Sequence, residues 1–190
     1  MQMLVPVLIT IISQLPTQIP NPNETGPCSN EVKVLKLDSK YGFRGYRFGQ
    51  PLPKNKFSLK YSNKDIKNYI KINENFNIAE ISAKSILYLT KNNLLNSVSI
   101  YFDSKDFIYI LTILEDEFGE SMIYRTHNRD NVVGQYLWIS EKVVMTLYYF
   151  DEITIGTESH PASLSLFIQS RTSWRDGIEN TQNSISKGNF

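Results

Sequence analysis

The chain has 190 residues, with Lys+Arg 20 against Asp+Glu 19 and a formal net charge of +1, which excludes a wholly basic nucleic-acid binder and a polyacidic disordered tail. A hydrophobic fraction of 41% with 12% aromatics and 21% charged residues describes a packed globular chain, and the length suits one domain that buries about 70% of its unfolded surface. The single cysteine, Cys28, permits no intrachain disulfide, so core and sheet must carry the stability.

Residues 3–12, MLVPVLITII, have the length of a signal-peptide apolar region and are too short to span a bilayer, which takes about 20 residues. Residues 1–13 are therefore expected to act as an export signal. No Lys or Arg precedes the run, the first basic residue being Lys33, and a start codon set too far downstream would account for that. The alternative is an apolar edge strand or anchor. Cys28 follows Pro27 in TGPC and stands far from the apolar run, a context unlike a lipid-attachment site. Residues 14–30 contain Pro16, Pro20, Pro22 and Pro27 among Asn, Gln and Thr, a linker composition that buries no core.

The domain is expected over residues 31–170. Short strands are predicted at 32–37, 43–48 and 76–81. Residues 62–72 stay open: Ser62 with Asp65 imitates a helix capping box, while 69–72 could instead pair with 76–81 across Asn73-Glu74-Asn75. Residues 86–90 and 95–102 read as a hairpin around Asn92-Asn93, since asparagine tolerates the left-handed backbone of a tight turn. A helix is predicted over 105–118, capped by Asp103 or Ser104, with Phe107, Ile110, Leu111, Leu114 and Phe118 on one stripe and Gly119 as its stop. A second hairpin joins 135–139 to 142–150 through Ser140-Glu141. In VVMTLYYF both alternate sets are largely apolar, as in a central strand covered on both faces. Strict alternation marks 162–169 as the last strand. Residues 171–190 read as a polar, flexible tail from which Trp174 folds back. The order predicts an α+β domain: an antiparallel sheet of about five to seven strands with one main amphipathic helix on one face. The absence of βαβ alternation excludes doubly wound nucleotide-binding folds.

At Phe43-Arg44-Gly45-Tyr46-Arg47-Phe48-Gly49 the chain resembles small exported bacterial α+β proteins that open with an F-x-G-x-x-F/W-G strand. In those proteins a hydrophobic hairpin follows, then a helix closing on L-x-x-x-F/Y-G; the counterparts here are residues 86–102 and 114–119. The resemblance covers residues 42–170. It implies the fold and export, and supplies no catalytic residue.

The two histidines, His127 and His160, are expected in loops, where His127 with Asp130, or His160 with Glu158, could form an acid/base pair near Ser121 or Ser159. No nucleophile elbow, zinc-protease helix motif, P-loop or dinucleotide fingerprint is present. One cysteine remote from two histidines offers no zinc ligand pair. Neither a metal nor a cofactor is expected.

Glu115, Asp116, Glu117 and Glu120 gather where the predicted helix ends, against its dipole at a cost of about 0.3–1 kcal/mol each. A plain solvated helix end is the simplest reading; a basic surface of the same chain or of a partner comes next, and Ca²⁺ last, since consecutive helical positions point about 100° apart and do not converge on one ion. Lys54, Lys56, Lys60, Lys64, Lys67 and Lys71 form the converse run, with Phe57, Tyr61 and Tyr69 between them. A solvated lysine face is the ordinary explanation of such a run, which can also face an anionic surface or single-stranded nucleic acid; few arginines and the export signal point away from nucleic acid. Residues 31–75 carry 11 basic and 4 acidic groups, and residues 76–123 carry 3 and 7, so near neutrality conceals a polarised chain. Among the aromatics of the later strands, Tyr136 and Trp138 would make an adhesive platform if their sheet face were bare. The candidate binding set is thus Lys60, Lys64, Lys67, Glu115, Asp116, Glu117, Tyr136 and Trp138. The expectation is an exported, non-enzymatic binding module, monomeric or weakly oligomeric and without a stable membrane span, whose partner is a protein or envelope component. A hydrolase using the histidines, and a cytoplasmic interaction or immunity-type protein, are the alternatives.

Overall fold

The computed structural model describes residues 36–78, 80–128, 131–155 and 158–186, and their side chains except in 124–133, 153–160 and 180–186. The predicted export signal, the linker with Cys28 and residues 187–190 lie outside the described residues.

The chain forms strands β1 (Phe57–Asn63), β2 (Ile66–Lys71), β3 (Asn77–Ile78), β4 (Ile81–Ser82), β5 (Ser85–Lys91) and β6 (Leu94–Phe102), then helix α1 (Phe107–Phe118). Strands β7 (Met122–Asn128), β8 (Asn131–Ile139), β9 (Val143–Phe150), β10 (Ile153–Ile155), β11 (Glu158–His160) and β12 (Ser163–Ser170) follow, and helix α2 (Arg171–Ser186) ends the series. Among the described residues the main sheet has eight strands in the order β1-β2-β5-β6-β12-β9-β8-β7. Every neighbouring pair is antiparallel. The α+β class agrees with the sequence, but the sheet is wider than predicted. The extra strands come from residues 57–61, for which the sequence predicts no element, from 62–71, whose pattern is ambiguous, and from 122–128, where a connection between helix and strand is expected.

Turn chemistry explains the hairpins. Asn92 and Asn93 take φ of 53° and 64°, the left-handed pair that matches the twist of β5 and β6. Lys64, at φ 49°, turns β1 into β2 with Asp65, so residues 62–72 are neither a helix nor partners of 76–81. Ser140 holds the β8–β9 turn: its backbone N–H donates to the Val143 carbonyl at 3.0 Å, and its hydroxyl oxygen accepts from the Val143 N–H at 3.1 Å.

Alternation sends Ile86, Tyr88, Val98, Ile100, Leu147, Leu164 and Leu166 into one buried face, each large aliphatic side chain contributing about 1.5–3 kcal/mol. Helix α1 covers the β7–β9 side of that face with Ile110 and Leu114, and Phe107 stacks on Tyr149 at 4.5 Å between ring centroids. A short 3₁₀ turn (Ser104–Asp106) precedes α1, with the Asp103 carboxylate accepting from the Lys105 N–H. Gly119, at φ 90°, stops the helix, as the sequence predicts. Strand β9 lies between β12 and β8 and is buried along most of its length, as its doubly apolar pattern predicts.

Residues 36–53 form a strap over the other half of this face rather than strands. Residues 36–39 are helical, which corrects the strand expected at 32–37; residues 32–35 lie outside the described residues. The strand expected at 43–48 is a tight turn: Phe43 bridges Tyr46, with Arg44 at φ 51° and Gly45 at φ 83° between them. A side chain at Gly42, φ 140°, would collide with the Tyr46 carbonyl. Phe48 and Leu37 anchor the strap in the core, and Gly49 and Gln50 bond to the Leu95 backbone. The strand expected at 76–81 is instead two short strands, β3 and β4, paired with each other.

The C-terminal part also differs from expectation. Residues 171–186 form α2, whose first turn is capped where the Ser170 hydroxyl accepts from the Ser173 N–H at 3.2 Å. Ile178 is buried and Trp174 half-buried, and they are the apolar positions of residues 171–179 in a polar sequence. That scarcity conceals it from periodicity.

Candidate interaction surface

The structure separates the candidate residues into three regions. His127 lies on β7 opposite Val132, and His160 on β11 opposite Ile153; the sequence predicts loops for both, and both are in paired strands. They belong to different sheets, and their side chains lie outside the described residues, as does Asp130. Among the described residues no group of His, Cys, Asp and Glu is arranged to hold a metal ion.

The acidic end of α1 is answered in part within the chain. Lys36 pairs with Glu117 at 2.6 Å. Glu115 accepts from the Ser121 hydroxyl at 2.8 Å and from its N–H at 3.3 Å, while Asp116 stays exposed. Tyr136 and Trp138 are core residues, exposed by 7% and 4%, and the indole N–H donates to the Gly119 carbonyl at 2.8 Å. This corrects their assignment as a binding platform: α1 covers the face on which they stand.

An unpredicted polar node lies beneath the strap. The Glu74 side chain, 3% exposed, receives Arg44 at 2.5 Å and Lys71 at 3.4 Å. The Tyr88 hydroxyl donates to its other oxygen at 2.7 Å. Arg44 also donates to the Asn75 and Asn77 carbonyls. Burial alone would raise the Glu74 pKa, but hydrogen bonds from Tyr88 and Arg44, with the charges of Lys71 and Arg44, hold it below the ordinary value. Burial first, and the Glu74 hydrogen bond second, push the Tyr88 hydroxyl far above its ordinary range. Tyr46 and Phe57 pack edge-on against Tyr88. This node fastens the strap to the β2–β3 connection. One sequence signal marks it: Glu74 is an isolated carboxylate next to a lysine-rich run. An open depression of about 540 Å³ is lined by strap residues between Gly45 and Pro53.

On the sheet face opposite α1, Ser85, Tyr101, Ser165, Tyr148 and Gln135 stand side by side across five strands. Burial pushes the Tyr148 hydroxyl up to about 12, opposed by its hydrogen bond with Thr146.

The lysine run occupies the free edge of the sheet. Strand β1 is the outermost strand, and beyond Phe57 all its residues are exposed. Lys60 sits in a β-bulge between Leu59 and Tyr61. Lys64 forms the turn, and Lys67 on β2 donates to the Asn93 side chain at 2.7 Å. Lys54, Lys56, Lys60, Lys64 and Lys91 are exposed and form no ion pair among the described residues, whereas Lys36, Lys84 and Lys105 each meet a carboxylate. Beside the free lysines stand Leu59, Tyr61, Ile66 and Leu94, exposed by 51%, 37%, 44% and 42%. No family model matches the chain, and no curated protein or solved structure is significantly similar to it.

Proposed function

We propose that the chain is an exported, non-enzymatic binding module that recognises a negatively charged protein or envelope component through its outer hairpins, β1–β2 and β5–β6. The observation that supports this reading is the coincidence of unpaired lysines with exposed apolar side chains on one edge. A solvated lysine face needs no apolar neighbours, and scattered exposed apolar residues need no lysines; together they form an amphipathic patch. The Lys60 bulge discourages another strand from pairing with β1, so recognition runs through side chains rather than through strand addition. Lysines steer an anionic partner, and the apolar groups supply contact once water is displaced.

A photo-reactive residue placed at Tyr61 in the producing cell tests this reading. Adducts with an envelope component are expected from position 61 and not from Lys142, on the β8–β9 turn. Adducts from position 142 alone would contradict it. Mass analysis of the isolated chain is expected to show loss of the predicted export signal, and a chain retaining Met1 would contradict the exported location.

A further inference from the structure

The two outer hairpins end in a single tip. The Asn92 N–H donates to the Asp65 carbonyl at 2.9 Å, Lys67 reaches Asn93, and Ile66 pairs across the strands with Lys91, which pairs with Leu94. Directly opposed residues share a sheet face, so Ile66, Lys91 and Leu94 project from one side. Tyr61 belongs to the same side, because it opposes Asn68, two residues beyond Ile66. This is the face away from α1. The tip also carries Lys60 and Lys64. With Lys67 and Lys91 these face one carboxylate at the tip, Asp65, leaving a local excess of three positive charges.

We propose that this double-hairpin tip docks on the headgroup layer of an anionic membrane, with Tyr61, Ile66 and Leu94 entering the interface and Lys60, Lys64 and Lys91 meeting lipid phosphates. The proposal rests on the reading of the outer hairpins as the binding surface and names its partner. Charge complementarity selects an anionic surface. The placement of the apolar groups selects lipid over an acidic protein segment: Ile66 and Leu94 begin strands beside the two turns and Tyr61 stands close before one, all exposed on one side rather than arranged around a cleft into which a protein anchor would fit. A tyrosine with two aliphatic side chains, ringed by lysines, has the composition of an interfacial contact. Among the described residues no helix is long and apolar enough to cross a membrane, and this contact needs none. Lysine stems lie along the apolar boundary while their ammonium groups remain at the phosphates.

Sedimentation of the chain isolated from the producing cell with vesicles tests the proposal, comparing phosphatidylglycerol mixed with phosphatidylcholine against phosphatidylcholine alone. Binding is expected only with the anionic lipid and is expected to fall as salt rises. Each lysine removed is expected to weaken it about fivefold, and Lys60→Ala with Lys64→Ala and Lys91→Ala together about a hundredfold. Ile66→Ser with Leu94→Ser is expected to weaken binding at unchanged charge. All these positions are exposed, and an unchanged circular dichroism spectrum verifies the fold of each variant. Equal binding to both vesicle types, or wild-type binding by the triple variant, would overturn the proposal. Failure to bind vesicles, with retention on a polyglutamate matrix that the triple variant loses, overturns the lipid partner and leaves the binding surface standing. Retention that the triple variant keeps overturns both.

Discussion

Tyr88 and Glu74 form a 2.7 Å hydrogen bond in which a fully buried phenol donates to a carboxylate that is itself 3% exposed. Arg44 reaches the same carboxylate from the strap, so one charge joins strap, β5 and the β2–β3 connection. Replacing Glu74 by Gln leaves Arg44 without its counter-charge and is expected to cost about 3 kcal/mol of stability. Tyr88→Phe removes one charge-assisted hydrogen bond and is expected to cost about 2 kcal/mol. In urea unfolding the double variant should lose less than the two single losses combined, since both remove the same contact; full additivity would show that the two residues act independently.

The same node sets the acid limb of stability. Burial raises the Glu74 pKa, yet the Tyr88 and Arg44 hydrogen bonds and the neighbouring positive charges hold it below the ordinary 4.5. The folded state therefore binds this proton less readily than the unfolded chain. Its contribution is fully present above the unfolded value and is lost as pH falls through the folded one. Tyr148 acts at the other limb: burial, against a hydrogen bond with Thr146, moves its hydroxyl from 10.0 to about 12. The stability linked to that shift is present below the unfolded pKa and is lost as pH rises through the folded one. Unfolding midpoints followed against pH should show a shallower acid limb in Glu74→Gln and a shallower alkaline limb in Tyr148→Phe, each leaving the opposite limb in place.

Much of the sheet was legible because local chemistry and tertiary environment agree. Asn92-Asn93 required a tight turn, strands β6 and β12 alternate strictly, and α1 carries its stripe between Asp103 and Gly119. The errors fall where periodicity is weak or misleading. In Phe43-Arg44-Gly45-Tyr46 the aromatic spacing imitates a strand, but Arg44 and Gly45 occupy left-handed backbone and form a turn. Strand β1 shows no alternation because it buries only Phe57, and α2 is a polar helix in which Ile178 is the one buried residue among the described side chains. Within the candidate site, the lysines could be read as an exposed group because burying one without a partner is costly. The assignment of Tyr136 and Trp138 failed because alternation cannot say which face α1 covers. The Glu74 node was missed because its members, Arg44, Lys71, Glu74 and Tyr88, meet through tertiary packing that no spacing encodes.

Two glycines should respond in opposite directions. Gly42 holds φ 140° against the Tyr46 carbonyl, so Gly42→Ala brings backbone strain and a steric collision, and a loss of about 1–3 kcal/mol is expected. Gly177 lies inside α2, and a methyl group added there would meet nothing within 4 Å, so Gly177→Ala is expected to add about 0.5–1 kcal/mol. Chemical denaturation measures both, and a neutral Gly42→Ala would contradict the close turn.

Asp38 fixes the start of the strap to the β8–β9 turn, accepting from the Ser140 hydroxyl at 2.5 Å and from the Lys142 N–H at 2.8 Å. Asp38→Ala leaves both donors without this acceptor and is expected to cost about 1–3 kcal/mol. Amide exchange should quicken at Lys142, and unchanged exchange there would show that the bond does not protect the turn.

The outer hairpins, and not the chain's overall charge, are expected to engage negatively charged partners. Retention on an anionic matrix across a salt gradient tests this most directly, because the whole chain carries a formal charge of only +1. Lys60→Ala, Lys64→Ala and Lys91→Ala in one chain are compared with Lys40→Ala, Lys105→Ala and Lys142→Ala in another, so that both lose the same charge. Early elution is expected of the first variant and near wild-type elution of the second. Equal shifts in the two would contradict a localised binding surface.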